Sequence, residues 1–401
     1  MAIEFSRDEG SMRGSTSIAE RFRAKFGVNP RVYRAPGRVN LIGEHTDYNE
    51  GYVMPVALGF YCWVAISPRD DRKLVMSSDG FSDPAEVELD SPEIRPRKTW
   101  SDYPVGVALE LKRAGVPLRG ANLLIHGEIP MGAGLSSSAA IEVATALALA
   151  EQAGHSPDRV QLALQCQKAE NEFVGARCGI MDQFISLHGR KNHALLLDCR
   201  ALDFELVPIP ECVRLVICNT MVKHEHASSG YNQRRAECEE AVQRLAKVLP
   251  GIRSLRDVTL DQLELHRKTF SNILYKRALH VITENARVRD ATEALRAEDL
   301  ERFGKRMAES HASLRDLYEV SCAELDLMVE QAHGQEGVYG ARMTGGGFGG
   351  STINLVESRF ADAFRENMAR GYEKETGIVP QIYICAVAEG AGALPQSEVQ
   401  A

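Results

Sequence analysis

The segment Pro130–Ala140, "PMGAGLSSSAA", constrains the fold of this chain more than any other. Two glycines and three serines run directly into "AAIEVATALALAEQAG", which has high helix propensity and stops at Gly154. The preceding "ANLLIHGEIP" reads as a strand. Strand, glycine loop and helix in that order put free backbone N–H groups and the positive end of a helix dipole at the loop, which suits a phosphate. Gly132 and Gly134 permit close backbone approach, and Ser136, Ser137 and Ser138 add hydroxyls. The lysine of the P-loop pattern is missing, so a cation must come from elsewhere. Serines that only cap the helix are the competing reading, since Ser is a favoured N-cap in any protein.

A second loop, "MTGGGFGG" (Met343–Gly350), has five glycines in eight positions between two apparent strands. That density weakens a sheet. Its reason is either close packing against another loop or a ligand, or a tight turn with no ligand. The stretch "RAPGRVNLIGEHTDYNEGYVMP" (Arg34–Pro55) gathers Arg38, Glu44, His45, Asp47, Tyr48 and Asn49. Such a mixture of donors and acceptors suits a polyhydroxylated ligand, whose hydroxyls both donate and accept; a solvated turn is the alternative. In "GARCGIMDQFISLHG", Asp182 stands among Ile180, Met181 and Phe184, with Arg177 nearby. The residues alone favour a solvent-facing helix position over a desolvated functional group.

The 401-residue length fits two lobes around a cleft, residues 1–210 and 211–401, with a boundary near Pro210. From Arg31 to Asp90 short strands suggest an antiparallel meander, and "YPVGVALELKRAG" a helix ending at Gly115. "SPDRVQLALQCQKAENEFVG" reads as a helix capped by Ser156. "HALLLDCR", "DFELVPIP" and "VRLVICNT" read as strands leading into the second lobe. A helix near Ser228 carries an apolar stripe of Cys238, Ala241, Val242, Leu245 and Leu249, and helical segments continue to His333. The glycine loop, a helix and "PQIYICAVAEG" then suggest a split sheet under helices, with "GALPQSEVQA" a disordered tail.

Charge and composition narrow the function. A net charge of -8 argues against a nucleic-acid footprint. The longest apolar run, Ala139–Ala150, carries Glu142 and Thr145 and is shorter than the ~20 residues a membrane helix needs. The polar N-terminus lacks a secretory core, so a cytosolic protein is expected. The nine cysteines contain no C-x-x-C pair and read as reduced core residues. With no heptads and no exposed apolar stripe, a monomer is expected.

Together these segments resemble the GHMP small-molecule kinases and, within them, the galactokinases. "GRVNLIGEHTDYN" is similar to the galactokinase signature, "PMGAGLSSSAA" to the ATP motif and "MTGGGFGG" to the third motif; "AENEFVGARCGIMDQFISLHG", "SSGYNQRRAECEE" and "SHASLRDLYEVSCAELD" extend the resemblance over roughly Arg34–Gly390. It implies an α+β, two-lobed GHMP kinase fold with the site in the cleft. The N-terminal lobe would be a mixed-sheet unit like ribosomal protein S5 domain 2, the C-terminal lobe a split β-α-β unit with antiparallel sheet and helices. The implied activity is transfer from ATP to the anomeric hydroxyl of galactose. N-acetylgalactosamine or another sugar is the alternative substrate, and a non-catalytic galactose and ATP sensor the alternative class, although such sensors lack the Ser138–Ala139 pair kept here.

The resemblance also implies roles. Arg38 and Asp182 would form the catalytic pair, with Glu44, His45, Asp47, Gly179 and Tyr231 around the sugar. Gly132, Ala133, Gly134, Leu135, Ser136, Ser137, Ser138 and Ala139 would wrap the phosphates, and Trp100 and Tyr103 flank adenine. Ser138, with Ser137 as a second candidate, and Glu170 would hold Mg2+; Gly345, Gly346, Gly347 and Gly349 belong to the third motif. His224 and His226 lack a third ligand at usual spacing and are expected at a strand end near the sugar rather than on a metal.

Overall fold

The apolar runs pair into three sheets in a computed structural model that describes residues 9–223 and 227–399. His224 and His226 lie outside the described residues. After helix α1 (Glu9–Phe26) come strands β1 (Arg31–Asn40), β2 (Tyr52–Val53), β3 (Pro55–Arg69), β4 (Lys73–Ser78) and β5 (Phe81–Glu88), then α2 (Asp102–Arg113), β6 (Gly120–Gly127) and α3 (Ser137–Gln152). Next are α4 (Arg159–Lys168), a π-helical turn Ala169–Val174, α5 (Met181–His188), and strands β7 (His193–Asp198), β8 (Phe204–Pro208) and β9 (Val213–Lys223). The rest comprises α6 (Ala227–Leu245), α7 (Leu260–Leu265), α8 (Asn272–Arg296), α9 (Leu300–Ser313), α10 (Ala323–His333), β10 (Val338–Thr344), β11 (Gly349–Glu357), α11 (Ala361–Thr376), β12 (Gln381–Cys385), β13 (Gly392–Ala393) and α12 (Gln396–Val399).

The first sheet has the order β13-β1-β3-β6-β4-β5. It is not the expected meander: β6 inserts between β3 and β4 and runs parallel to β4, making the sheet mixed. The reason is burial. β3 and β6 are buried along nearly their whole length and take the centre, whereas β5 alternates toward solvent at the edge. The second sheet, β10-β11-β9-β12, is wholly antiparallel, and β2-β7-β8 forms a third. Side chains of β9 and β11 share one continuous core with β1, β3 and α3.

Two further expectations are corrected. Asp158, not Ser156, caps α4, its carboxylate accepting from Gln161 N at 2.9 Å. An Asp directly before the first turn is better placed than a serine two residues earlier. The described part of the C-terminal segment is ordered: Tyr33 and Arg34 of β1 pair with Ala393 and Gly392, and α12 contacts α1. An unpaired edge of β1 gives that segment a partner its composition does not reveal.

Candidate active site

Arg38 and Asp182 meet across 144 residues of sequence. The register of β1 on β3 slips between Pro36 and Arg38, and Gly37 sits so close to the phosphate loop that a Cβ there would lie 2.7 Å from Leu135 O. Glycine at this point lets Arg38 N reach Leu135 O at 3.1 Å. The Arg38 guanidinium donates from Nε to Asp182 Oδ1 at 2.7 Å and from Nη2 to Oδ2 at 2.8 Å, a bidentate fork, while Nη1 donates to Gly134 O at 2.7 Å. Asp182, in the first turn of α5, therefore does not face bulk solvent as its neighbours suggested; it is half-buried against a buried arginine. Burial opposes the Arg38 charge, but Asp182 and Glu44 outweigh it and raise its pKa.

The loop before α3 is an open cradle. Ser136 has a left-handed backbone, φ 57°, and its side chain makes no bond to the first helical turn; its hydroxyl donates to Asp182 Oδ2 instead. Capping thus does not account for this serine. Ala133 and Leu135 are buried, and they take part through their carbonyls: Ala133 O accepts from Ser351 Oγ at 2.8 Å. The second glycine loop packs against the first, since a Cβ on Gly345 would lie 3.4 Å from Gly134 O and one on Gly350 3.8 Å from Ala133 O. Gly345, Gly347 and Gly349 have positive φ, and a Cβ on Gly347 would meet Val320 O at 2.3 Å, so close approach is what the glycines provide. Between the loops lies a cavity of about 320 Å³ lined by Arg38, Asp182, Gly132, Gly134, Ser136–Ser138 and Gly346–Gly350.

Glu44 and Asp47 of the sugar signature lie near enough to Arg38 to act on its charge. Glu44 Oε1 accepts from Gly345 N at 2.8 Å and Thr344 Oγ1 at 3.0 Å, which ties the signature to the third motif. His45 Nδ1 shares a hydrogen bond of 2.7 Å with Tyr48 OH, and its ring packs 5.4 Å from that of Tyr231. Burial, then His280 and Arg234, push His45 down to about 3, so the imidazole is neutral, and its Nε2 has no partner. Asp47 is pushed up to about 7 by burial and then by the Asp182 charge.

Gly179 and Asp47 share a surface: a Cβ on Gly179 would lie 1.9 Å from Asp47 Oδ2. Gly179→Ala is expected to displace the carboxylate and raise the KM for the acceptor sugar by about tenfold to a hundredfold, with the KM for ATP changed less; steady-state kinetics in both substrates checks this. Asp47→Asn tests the burial of charge. A carboxyl with a folded pKa near 7 against 3.8 takes up its proton first in the folded state, so stability from this group grows as pH falls through 7. The asparagine variant is therefore expected to be more stable than the parent at pH 8 by roughly 1 kcal/mol, a value discounted for the carboxylate's partial exposure, and to lose most of that advantage by about pH 4. Thermal unfolding at the two pH values measures it.

Glu170 lies on the π-helical turn, a feature often kept at functional sites. Its carboxylate is pushed up to about 7 by burial and then by the Asp182 charge, with Cys178, the nearby Ser138 hydroxyl and Gln183 acting against the rise. Among the described residues no lysine or arginine pairs with it. A buried carboxylate and a hydroxyl, both hard oxygen donors beside a phosphate cradle, fit Mg2+. A second cavity of about 460 Å³ shares Ser137 and Ser138 with the first and is walled by Trp100, Tyr103 and Phe81. Phe81, which the sequence reading missed, stacks on Trp100 with centroids 6.1 Å apart. Thr344, Gln183 and Glu142 were likewise missed; a carboxylate inside an alanine-rich helix was the available signal for Glu142.

Comparison with known proteins adds three matched regions: a galactokinase galactose-binding signature over residues 20–68, the GHMP kinase N-terminal domain over 102–190 and the GHMP kinase C-terminal domain over 291–374. The galactokinase of Roseiflexus sp. (strain RS-1) is 46% identical over 95% of this chain and 97% of its own length. That of Chloroflexus aggregans is 46% identical over 96% of this chain and 98% of its own. The crystal structure of Lactococcus lactis galactokinase complexed with galactose superposes with a TM-score of 0.91 at 38% identity, covering 94% of this chain and 99% of that one.

Proposed function

Since this chain belongs to the galactokinase family of the GHMP kinases and acts as an ATP-dependent sugar kinase on galactose, we propose that Arg38 and Asp182 carry the transfer. The acceptor is the anomeric hydroxyl of D-galactose and the products are α-D-galactose 1-phosphate and ADP. One observation carries the reading: the Arg38–Asp182 fork is bonded to the phosphate loop through Gly134 O, and Glu44 and Asp47 of the sugar signature lie near enough to act on the Arg38 charge. A pair so placed can touch both the attacking oxygen and the transferred group.

In this reading Glu44, the unpartnered His45 Nε2, Asp47, Gly179 and Tyr231 orient the sugar, and Asp182 holds or accepts the hydroxyl proton. Arg38 holds Asp182 in its bidentate fork and offsets negative charge on the transferred phosphoryl group, the work a P-loop lysine does elsewhere. Ser138 and Glu170 would hold Mg2+, which supplies charge neutralisation on the phosphates when bound. Trp100, Tyr103 and Phe81 would clasp the base. We further infer a cytosolic monomer whose lobes divide near Pro210; among the described residues no helix is long and apolar enough to cross a membrane.

ADP release from MgATP is the test, with galactose, N-acetylgalactosamine, glucose and arabinose as acceptors. Galactose-dependent release at least tenfold above that with the other sugars is expected. Galactose binding without ADP release would instead identify a sensor.

A further inference from the structure

Gln183 follows Asp182 on α5 and is fully buried. Its side-chain Nε2 donates to Glu142 Oε2 at 3.0 Å and to Glu170 Oε2 at 2.7 Å, one amide hydrogen for each carboxylate. Glu142 lies one turn beyond Ser138 on α3, is fully buried, and has no bond from its other oxygen, Oε1. Cys178 Sγ also reaches Glu170 Oε2, at 3.3 Å, so these contacts fall on one oxygen and leave Glu170 Oε1 uncommitted to them. A single amide thus joins the backs of the three helical segments that present Ser138, Glu170 and Asp182.

A buried carboxylate whose only hydrogen-bond partner is a neutral amide is costly, and packing alone would be better served by an apolar residue. Its position offers a reason. We propose that Gln183 and Glu142 are positioning residues for Mg2+: Gln183, anchored by Glu142, pins Oε2 of Glu170 so that Oε1 faces Ser138 and the cation. Partners that orient a ligating carboxylate affect metal affinity strongly although they never touch the metal. The inference rests on the Ser138–Glu170 metal reading, and the experiment separates the two.

Calorimetric titration of the full chain with ADP, in saturating Mg2+ and in EDTA, gives two dissociation constants whose ratio measures what the metal adds. The parent is expected to bind ADP at least about tenfold more tightly with Mg2+, and Glu170→Gln to abolish that gain. Gln183→Met, similar in size but without the amide, is expected to cut the gain about tenfold or remove it, with affinity in EDTA within about twofold of the parent. If Glu170→Gln loses the gain and Gln183→Met keeps it within twofold, the positioning role is overturned and the metal reading stands. If Glu170→Gln keeps the gain, or the parent shows none, both fall. Should Gln183→Met not fold, Glu142→Leu removes the other anchor and is judged by the same ratio. Glu142→Gln, whose amide oxygen still accepts from Gln183, is expected to retain the gain within about threefold, and a loss there equal to that of Glu142→Leu would overturn the anchoring geometry.

Discussion

Asp182→Asn is expected to lower galactose-dependent turnover by about 10³-fold while galactose still binds, the middle of the range for losing a positioned acid or base. The substitution preserves shape and changes only charge and proton capacity. Asparagine can still accept from Arg38 Nε at the Oδ1 position, but its NH2 group would face Nη2, a donor against a donor where the parent has a bond of 2.8 Å. It also removes the acceptor for the Ser136 hydroxyl. Single-turnover rates and galactose titration on the same preparation separate chemistry from binding. A loss below about tenfold would assign Asp182 to orientation alone and move the proton directly to solvent or phosphate.

Arg38→Met carries the second large effect. The guanidinium is buried and makes three bonds, two to Asp182 and one to Gly134 O. Methionine fills the space but leaves Asp182 half-buried without its cation and frees the phosphate loop from its anchor. The loss of a stabilising arginine at a transferred phosphoryl group corresponds to about 10³–10⁵ in turnover. Removing one partner of a buried pair costs about 3–5 kcal/mol in stability, toward the low end here because Asp182 retains some contact with solvent. Arg38→Lys restores the charge without the fork, so it should recover stability more than rate. Denaturant unfolding beside steady-state kinetics distinguishes the two losses, and equal recovery of both would argue that charge, not fork geometry, matters.

Much of the site was legible because its signals are local. The phosphate loop, the second glycine loop and the sugar signature are each a short run whose residue types suit a ligand, and the family resemblance decided between that and a purely structural reading. The pairing of Arg38 with Asp182 was not legible from the residues themselves: a lone aspartate among Ile180, Met181 and Phe184 carries no sign of a partner 144 positions away. Glu142 shows the same limit. Along the sequence it is a charge interrupting an apolar run; in the fold it is a buried acceptor for Gln183.

The fold followed a similar division. Helices with strong propensity and clear stops, such as α3, lie where their residues place them. Strand order did not, because adjacency in sequence favours a meander and only burial on both faces moves β6 into the centre of the sheet. The π-helical turn at Ala169–Val174 has no signature in helix periodicity, yet it presents Glu170. The β13 pairing is likewise a matter of what edge β1 leaves open.

In the proposed mechanism the cleft aligns the anomeric oxygen of galactose with the terminal phosphate of ATP. Phosphorus and proton NMR of the product formed from galactose and MgATP tests it most directly. The expected spectrum shows one equivalent of ADP and a phosphate coupled to the proton on carbon 1 in the α configuration; phosphate on carbon 6, or ADP formed without any sugar phosphate, would contradict it.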